Sequence, residues 1–155
     1  MGLFKKDSTK EIKTTLSMVD GLPDVSAGTE MILSLSGDAL SIRPRLVKKM
    51  QPYTLNINKI TNISMLTEKD IIEKSKSVAG RALVGSVFLG PLGAIVGGMS
   101  GIGNKSKSST TTYIVINYNS NGEKAISFGI MKYSIGYFKL YSEIKSRIPQ
   151  PSHEL

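Results

Sequence analysis

Residues 82–104 carry no charged side chain, and glycine recurs through them at four-residue intervals. Gly93, Gly97 and Gly101 form one row; Gly90, Ala94 and Gly98 form a second. Gly85 and Ser86 begin a less regular version of the pattern. In an α-helix, residues four apart lie one above the other on a single face. Small residues on that face let a second helix approach closely, a packing device best attested in membranes. Glycine inside a helix costs about 0.8–1 kcal/mol relative to alanine. A solvated surface helix gains nothing for that loss, whereas close packing or a lipid surround offsets it.

This segment restricts what the rest of the chain can do. It is long enough to cross a bilayer, since about 20 residues suffice. A single crossing, however, would strand the two flanking sets of β-strands on opposite sides of the membrane. Gly90-Pro91 falls mid-segment and predicts a turn. Residues 69–89 and 92–103 then read as the arms of a helical hairpin, each short for a full crossing. Three uses stay open. The hairpin packs in water on its own domain or on a second copy, giving a homo-oligomer; it dips into one leaflet of membrane lipid; or it is a flexible glycine-rich loop. The contact residues in the first two cases are Gly85, Gly90, Gly93, Ala94, Gly97, Gly98 and Gly101. With them go the apolar Leu83, Val87, Phe88, Leu92, Ile95 and Val96, which would otherwise form an exposed patch of the kind soluble monomers avoid.

Around the segment the pattern is that of strands. Residues 12–19 alternate, with Leu16 and Met18 against Thr15 and Ser17. Met31, Leu33 and Leu35 alternate with Ile32, Ser34 and Ser36; Gly37-Asp38 supplies a turn; Leu40 and Ile42 continue the alternation, and Pro44 ends that strand. Tyr53, Leu55 and Ile57 mark a fourth strand, and Ile60, Ile63 and Met65 a less regular fifth. Thr67-x-x-Asp70 predicts a helix start of the capping-box type. Residues 111–119 are β-branched and aromatic throughout, Asn121-Gly122 predicts a tight hairpin, and Ala125, Ile126 and Phe128 form the return strand. Tyr133, Tyr137, Leu140, Tyr141, Ile144 and Ile148 recur at helical spacing, with Lys132, Lys139, Lys145 and Arg147 mostly off the apolar stripe. Pro149 and Pro151 stop that helix.

The expected architecture is α+β: about seven antiparallel strands, a C-terminal helix, and a glycine-rich helical hairpin inserted after the fifth strand. Residues 1–11 read as a flexible basic arm and residues 12–148 as one domain. Residues 67–109 interrupt that domain, and residues 149–155 are a disordered tail. Residues 28–42, then Ile60-Thr-Asn-Ile, Tyr113-Ile-Val-Ile-Asn-Tyr and Ile126-Ser-Phe before the helix, resemble the bacterial pleckstrin-homology-like (PH-like) domains. That resemblance implies a PH-like β-barrel or sandwich, with two nearly orthogonal sheets capped by the C-terminal helix. The whole also resembles small proteins of low-GC Gram-positive bacteria and their phages, in which a PH-like body is interrupted by a stretch containing Gly-Pro-Leu-Gly-Ala. PH-like folds serve as protein-binding platforms as well as lipid binders. In phosphoinositide-binding PH domains the first loop is basic; here residues 20–28 carry Asp20 and Asp24 and no Lys or Arg.

The remaining chemistry is sparse. The chain has no Cys and a single His, His153, in the tail. Thiolate catalysis, a metal centre and a Ser-His-Asp triad lack raw material, so no metal, cofactor or enzymatic activity is expected. Gly97-Gly-Met-Ser-Gly-Ile-Gly-Asn-Lys-Ser ends like a phosphate loop, but no glycine directly precedes Lys105. The N-terminus carries Lys5 and Lys6 with no apolar stretch behind them, unlike a signal peptide. The formal charge of +8 favours an anionic partner. Arg43, Arg45, Lys48 and Lys49 form a basic cluster without an intervening acid, suited to phosphates. The absence of Cys fits a reducing cytoplasm, and the membrane reading places the chain peripherally on its inner face.

The sequence thus points to a non-enzymatic module that self-associates or contacts the membrane through its hairpin. A soluble, phage-type adaptor that captures another protein is the alternative. A nucleic-acid binder ranks last, because the aromatic residues occupy core-like positions.

Overall fold

A computed structural model describes residues 10–70 and 111–148; the N-terminal arm through residue 9, residues 71–110 with the glycine rows, and the tail from residue 149 lie outside that set. The described chain forms seven strands and one C-terminal helix: β1 (Ile12–Asp20), β2 (Glu30–Ser36), β3 (Ala39–Pro44), β4 (Tyr53–Asn56), β5 (Ile60–Thr67), β6 (Thr112–Asn119), β7 (Glu123–Gly129) and α1 (Tyr137–Arg147). A short 3-10 turn, Ile57–Lys59, joins β4 to β5. The strands run in the order β4-β3-β2-β1-β7-β6-β5, each pair antiparallel.

Strand β1 belongs to both halves of this sheet. Residues 12–17 pair with β2, whereas Ser17, Met18 and Asp20 pair with β7, with a register shift between Met18 and Asp20. Bulges of this kind let one strand pass from one sheet direction to another. The two sheets expected from the resemblance are therefore two halves of one open sheet. Alternation explains why it folds over itself. Leu16, Leu33, Leu35, Leu40 and Ile42 from one half share a single buried cluster with Ile114, Ile116, Ile126 and Phe128 from the other. Each such side chain contributes about 1.5–3 kcal/mol on leaving water.

Helix α1 packs on β1 and β5 and inserts Leu140 and Ile144, followed by Ile148, into the same cluster. Its start differs from the sequence expectation. Gly136 adopts φ +85° at the N-cap, so the helix begins at Tyr137, and Tyr133 lies in the preceding loop. Arg147 anchors the far end: its guanidinium donates to the Gly37 carbonyl at 2.6 Å and pairs with Glu143 at 2.8 Å.

Both short hairpin loops, β2–β3 and β6–β7, carry positive φ. Gly37, at φ +62°, closes the β2–β3 hairpin as expected. The β6–β7 turn is longer than the Asn-Gly dipeptide predicts. Asn119 pairs with Glu123, leaving Ser120, Asn121 and Gly122 as a three-residue loop, and the Asn119 Oδ1 accepts from the Gly122 N–H at 3.3 Å.

The rim of the glycine-rich segment is well defined. The Asp70 N–H donates to Thr67 Oγ1 at 3.2 Å, and the Asp70 carboxylate accepts from the Thr67 N–H at 3.0 Å, completing the expected capping box. Thr67 pairs with Thr112, and the Glu68 N–H donates to the Thr111 carbonyl at 3.1 Å. Residues 70 and 111, which bound the stretch outside the described residues, therefore sit at the ends of adjacent strands. Among the described residues, no helix is long and apolar enough to cross a membrane.

Candidate anionic-surface contact

Apart from Ile32, the outward positions of β1, β2 and β3 are polar or short, among them Lys13, Thr15, Ser34, Ser41 and Arg43. They line a shallow groove of about 280 Å³, with Glu11, Ile32 and Thr54. A second hollow, of about 370 Å³, shares Lys13 and Ile32 and adds Tyr133 and Ile135. This half of the sheet presents an open face.

Glu30 organises one margin of it. Its carboxylate accepts from Arg45 at 2.7 Å through one oxygen and from the Tyr133 hydroxyl at 3.0 Å through the other. The Arg45 N–H also donates to the Glu30 carbonyl at 2.8 Å, extending the β2–β3 ladder into the loop. The Tyr133 hydrogen bond and then the Arg45 guanidinium hold the Glu30 carboxyl below the usual carboxylate range. The reciprocal contact raises the Tyr133 phenol above its ordinary value. Glu30 thus fastens the β3–β4 loop to the loop that precedes α1.

Both fastened loops carry apolar side chains into solvent. Leu46 is 81% exposed and Val47 51%; across the Glu30 clamp, Tyr133 is 61% and Ile135 80% exposed, and Phe138, in the first turn of α1, is 62% exposed. Among the described residues these are the exposed large apolar side chains. Helical spacing places Tyr133 on the apolar stripe of α1, and pattern alone does not single out Leu46, Val47, Ile135 or Phe138. A signal existed in Arg45-Leu-Val-Lys-Lys, an apolar pair between charges in a turn, where no core contact is available.

The basic cluster expected from the sequence frames this rim. Arg43 lies on the open face, Arg45 on Glu30, and Lys48 and Lys49 follow Val47 in the loop. Among the described residues, no carboxylate lies within ion-pairing distance of Arg43, Lys48 or Lys49. Unpaired cations beside exposed apolar side chains suit a phosphate-bearing interface, where charge meets head groups and alkyl groups enter the layer beneath. Among the described residues no group of His, Asp or Glu is arranged to hold a metal ion.

Residues 30–131 match the family of glycine zipper containing PH domains. The match spans more than half of the chain, from the start of β2 to just beyond β7. The chain belongs to this family. No match is found among curated proteins. In this glycine-zipper PH domain the expected contacts Gly85, Gly90, Gly93, Ala94, Gly97, Gly98 and Gly101, and the apolar Leu83, Val87, Phe88, Leu92, Ile95 and Val96, fall inside the match but outside the described residues. β1 and α1 lie outside the match, yet they complete the PH domain, one by joining its two halves and the other by capping the core.

Proposed function

We propose that this PH domain is a non-enzymatic binding module that docks peripherally on an anionic lipid surface. The reading is carried by one observation: the exposed apolar side chains flank the Glu30 clamp and stand beside Arg43, Arg45, Lys48 and Lys49. Each basic residue near such a surface contributes about 1 kcal/mol. Leu46, Val47, Ile135 and Phe138 add apolar burial that outlasts salt screening. The acidic loop between β1 and β2 takes no part, so recognition rests on surface charge rather than on a single head group.

Co-sedimentation of the full chain with vesicles tests this reading. Binding is expected to vesicles of phosphatidylcholine mixed with phosphatidylglycerol and to be lost on phosphatidylcholine alone. Lys48→Ala with Lys49→Ala removes about 2 kcal/mol, roughly thirtyfold in affinity. Equal binding to both vesicle types refutes the charge reading, and no binding to either refutes lipid docking. In the latter case the soluble adaptor becomes the better account; salt-dependent retention on DNA would point to nucleic acid instead.

A second reading, assembly through the glycine rows, is favoured by the membership of a glycine-zipper family. A sedimentation experiment on the full chain and on Gly97→Leu tests it: an oligomer that the substitution dissociates supports assembly, and a monomer at all concentrations refutes it.

A further inference from the structure

The open face of the first half-sheet is built differently from the core side of the same strands. The registers align Lys13, Ser34, Ser41 and Thr54 in one row across β1 to β4. Arg43 stands on one side of that row, opposite Ile32, and Ala39 on the other, opposite Ser36. At strand spacing the row is roughly 14 Å long. All these residues line the groove of about 280 Å³, with Glu11 at its margin. The groove is a hollow because Ser34, Ser36, Ala39 and Ser41 are short, whereas Lys13, Glu11 and Arg43 around them are long. None of the four short residues is β-branched or aromatic, the types that a pleated strand favours. The inward positions between them, Leu33, Leu35, Leu40 and Ile42, are large and fully buried. Small residues thus replace better strand formers on the open face alone.

The donors of this hollow are unspent. The side chains of Arg43, Ser41 and Thr54 meet no hydrogen-bond or ion-pair partner among the described residues. The Ser34 hydroxyl donates to one oxygen of the Glu11 carboxylate, and Lys13 lies 3.8 Å from the other. A hydroxyl and an ammonium therefore already hold one oxyanion here, supplied by the chain itself.

We propose that the hollow binds a phosphorylated polyol, its phosphate on Arg43 and its hydroxyls along Ser34, Ser41 and Thr54. A guanidinium presents a planar fork that fits two phosphate oxygens. Serine and threonine hydroxyls both donate and accept, as the hydroxyls of a polyol do. Arg43 and Ser41, two residues apart on β3, stand roughly 7 Å from each other, so one small ligand reaches both. Two cations face a single carboxylate, which leaves the hollow attractive to an anion. Glu11 is the competitor: it occupies Ser34 and Lys13, and a ligand that takes the whole row displaces it. Arg43 is shared with the lipid-docking surface, but the inference does not rest on lipid docking, since hydroxyls as well as charge select the ligand.

Titration of the isotope-labelled full chain, followed by the NMR signals of its amides, tests the proposal. The probes are glycerol phosphate, glycerol and inorganic phosphate. Glycerol phosphate is expected to give saturable shifts at Ser34, Ser41, Arg43 and Thr54, with a Kd roughly tenfold or more below that of either fragment. Arg43→Gln removes a charge-assisted pair and raises that Kd roughly tenfold or more. Ser41→Val, which suits a strand, also weakens binding. Glu11→Gln acts the other way and tightens it, a gain that misfolding cannot produce. The absence of saturable shifts overturns the proposal. So does inorganic phosphate binding as tightly as glycerol phosphate, which would reduce the hollow to a patch of charge, or a Glu11→Gln variant that binds no better. Glycerol phosphate is then added to the vesicle assay to identify the source of the ligand. Unchanged co-sedimentation supports a free polyol phosphate, and release from phosphatidylglycerol vesicles supports the same chemistry carried on a lipid head group. Vesicle binding without the competitor reads lipid docking by itself, so failure of either reading is seen separately.

Discussion

Gly28 and Gly136 form a controlled pair for measuring steric closure at the base of α1. Their φ angles are close, +93° and +85°, so an alanine suffers similar backbone strain at either position. Their surroundings differ. A Cβ at Gly28 meets nothing within 4 Å, whereas at Gly136 it would sit 2.6 Å from the Lys13 carbonyl oxygen. That oxygen belongs to β1 and cannot swing aside as a flexible side chain can. Gly28→Ala is expected to cost about 1–2 kcal/mol, the penalty for an L-residue with left-handed backbone. Gly136→Ala bears the same penalty plus an overpacking cost of about 1–3 kcal/mol. The difference between the two variants, about 1–3 kcal/mol, corresponds to roughly 5- to 150-fold in the unfolding equilibrium. Urea denaturation followed by circular dichroism reads it as a lower midpoint at unchanged slope. Equal midpoints for the two alanine variants would refute the claim that α1 is seated by direct contact between Gly136 and β1. Because Ile135 and Phe138 flank this glycine, Gly136→Ala is also expected to weaken vesicle binding, while Gly28→Ala leaves it unchanged.

Stability and surface contact should separate at two phenylalanines. Phe128→Ala empties a fully buried site and costs about 3–5 kcal/mol, seen as a large fall in Tm, whereas Phe138→Ala is nearly neutral in Tm yet reduces vesicle co-sedimentation. Glu30 should shape the acid limb of stability. Its folded pKa is depressed, so its contribution is present above the unfolded value near ~4.3 and is lost as pH falls through the lower folded value. Glu30→Gln is therefore expected to flatten the stability profile below about pH 4, and equal acid limbs in denaturation curves would count against the clamp. Raising salt from about 0.1 to 1 M shortens the screening length from about 10 to 3 Å. Vesicle binding should then fall steeply, and Leu46→Ser with Val47→Ser should weaken the binding seen at low salt.

Much of the fold was legible because one face of most strands is wet. Met31, Leu33, Leu35, Leu40 and Ile42 alternate in sequence and are buried in the structure. Where a local contact overrode pattern, reading failed. The Asn119 side chain extends the Asn-Gly turn by one residue, and Gly136 delays the helix past Tyr133. In β5 the register shift between Ile60 and Asn62 moves Ile63 back to the core side and sends Leu66 to the other face. In β6 alternation breaks down: Tyr113-Ile-Val-Ile is apolar without interruption, as in strands covered on both sides. The candidate surface was half legible: its charges were visible as a cluster, but its apolar members follow from exposure, which depends on where the loops end up.

The pairing of Thr67 with Thr112 also sets a folding problem. The hairpins β2–β3 and β6–β7 close over a few residues, but β5 can join β6 only after a loop on the order of forty residues has been brought together. Relative to a turn of about four residues, that closure costs roughly 2 kcal/mol of chain entropy. The β5 ladder should therefore form late, and the sheet's last edge waits on the segment that interrupts it. Replacing residues 71–109 by a short turn should quicken refolding, with the gain appearing in the folding limb of the chevron rather than in the unfolding limb. On this view the stretch between β5 and β6 slows the route to the folded state by lengthening that one closure.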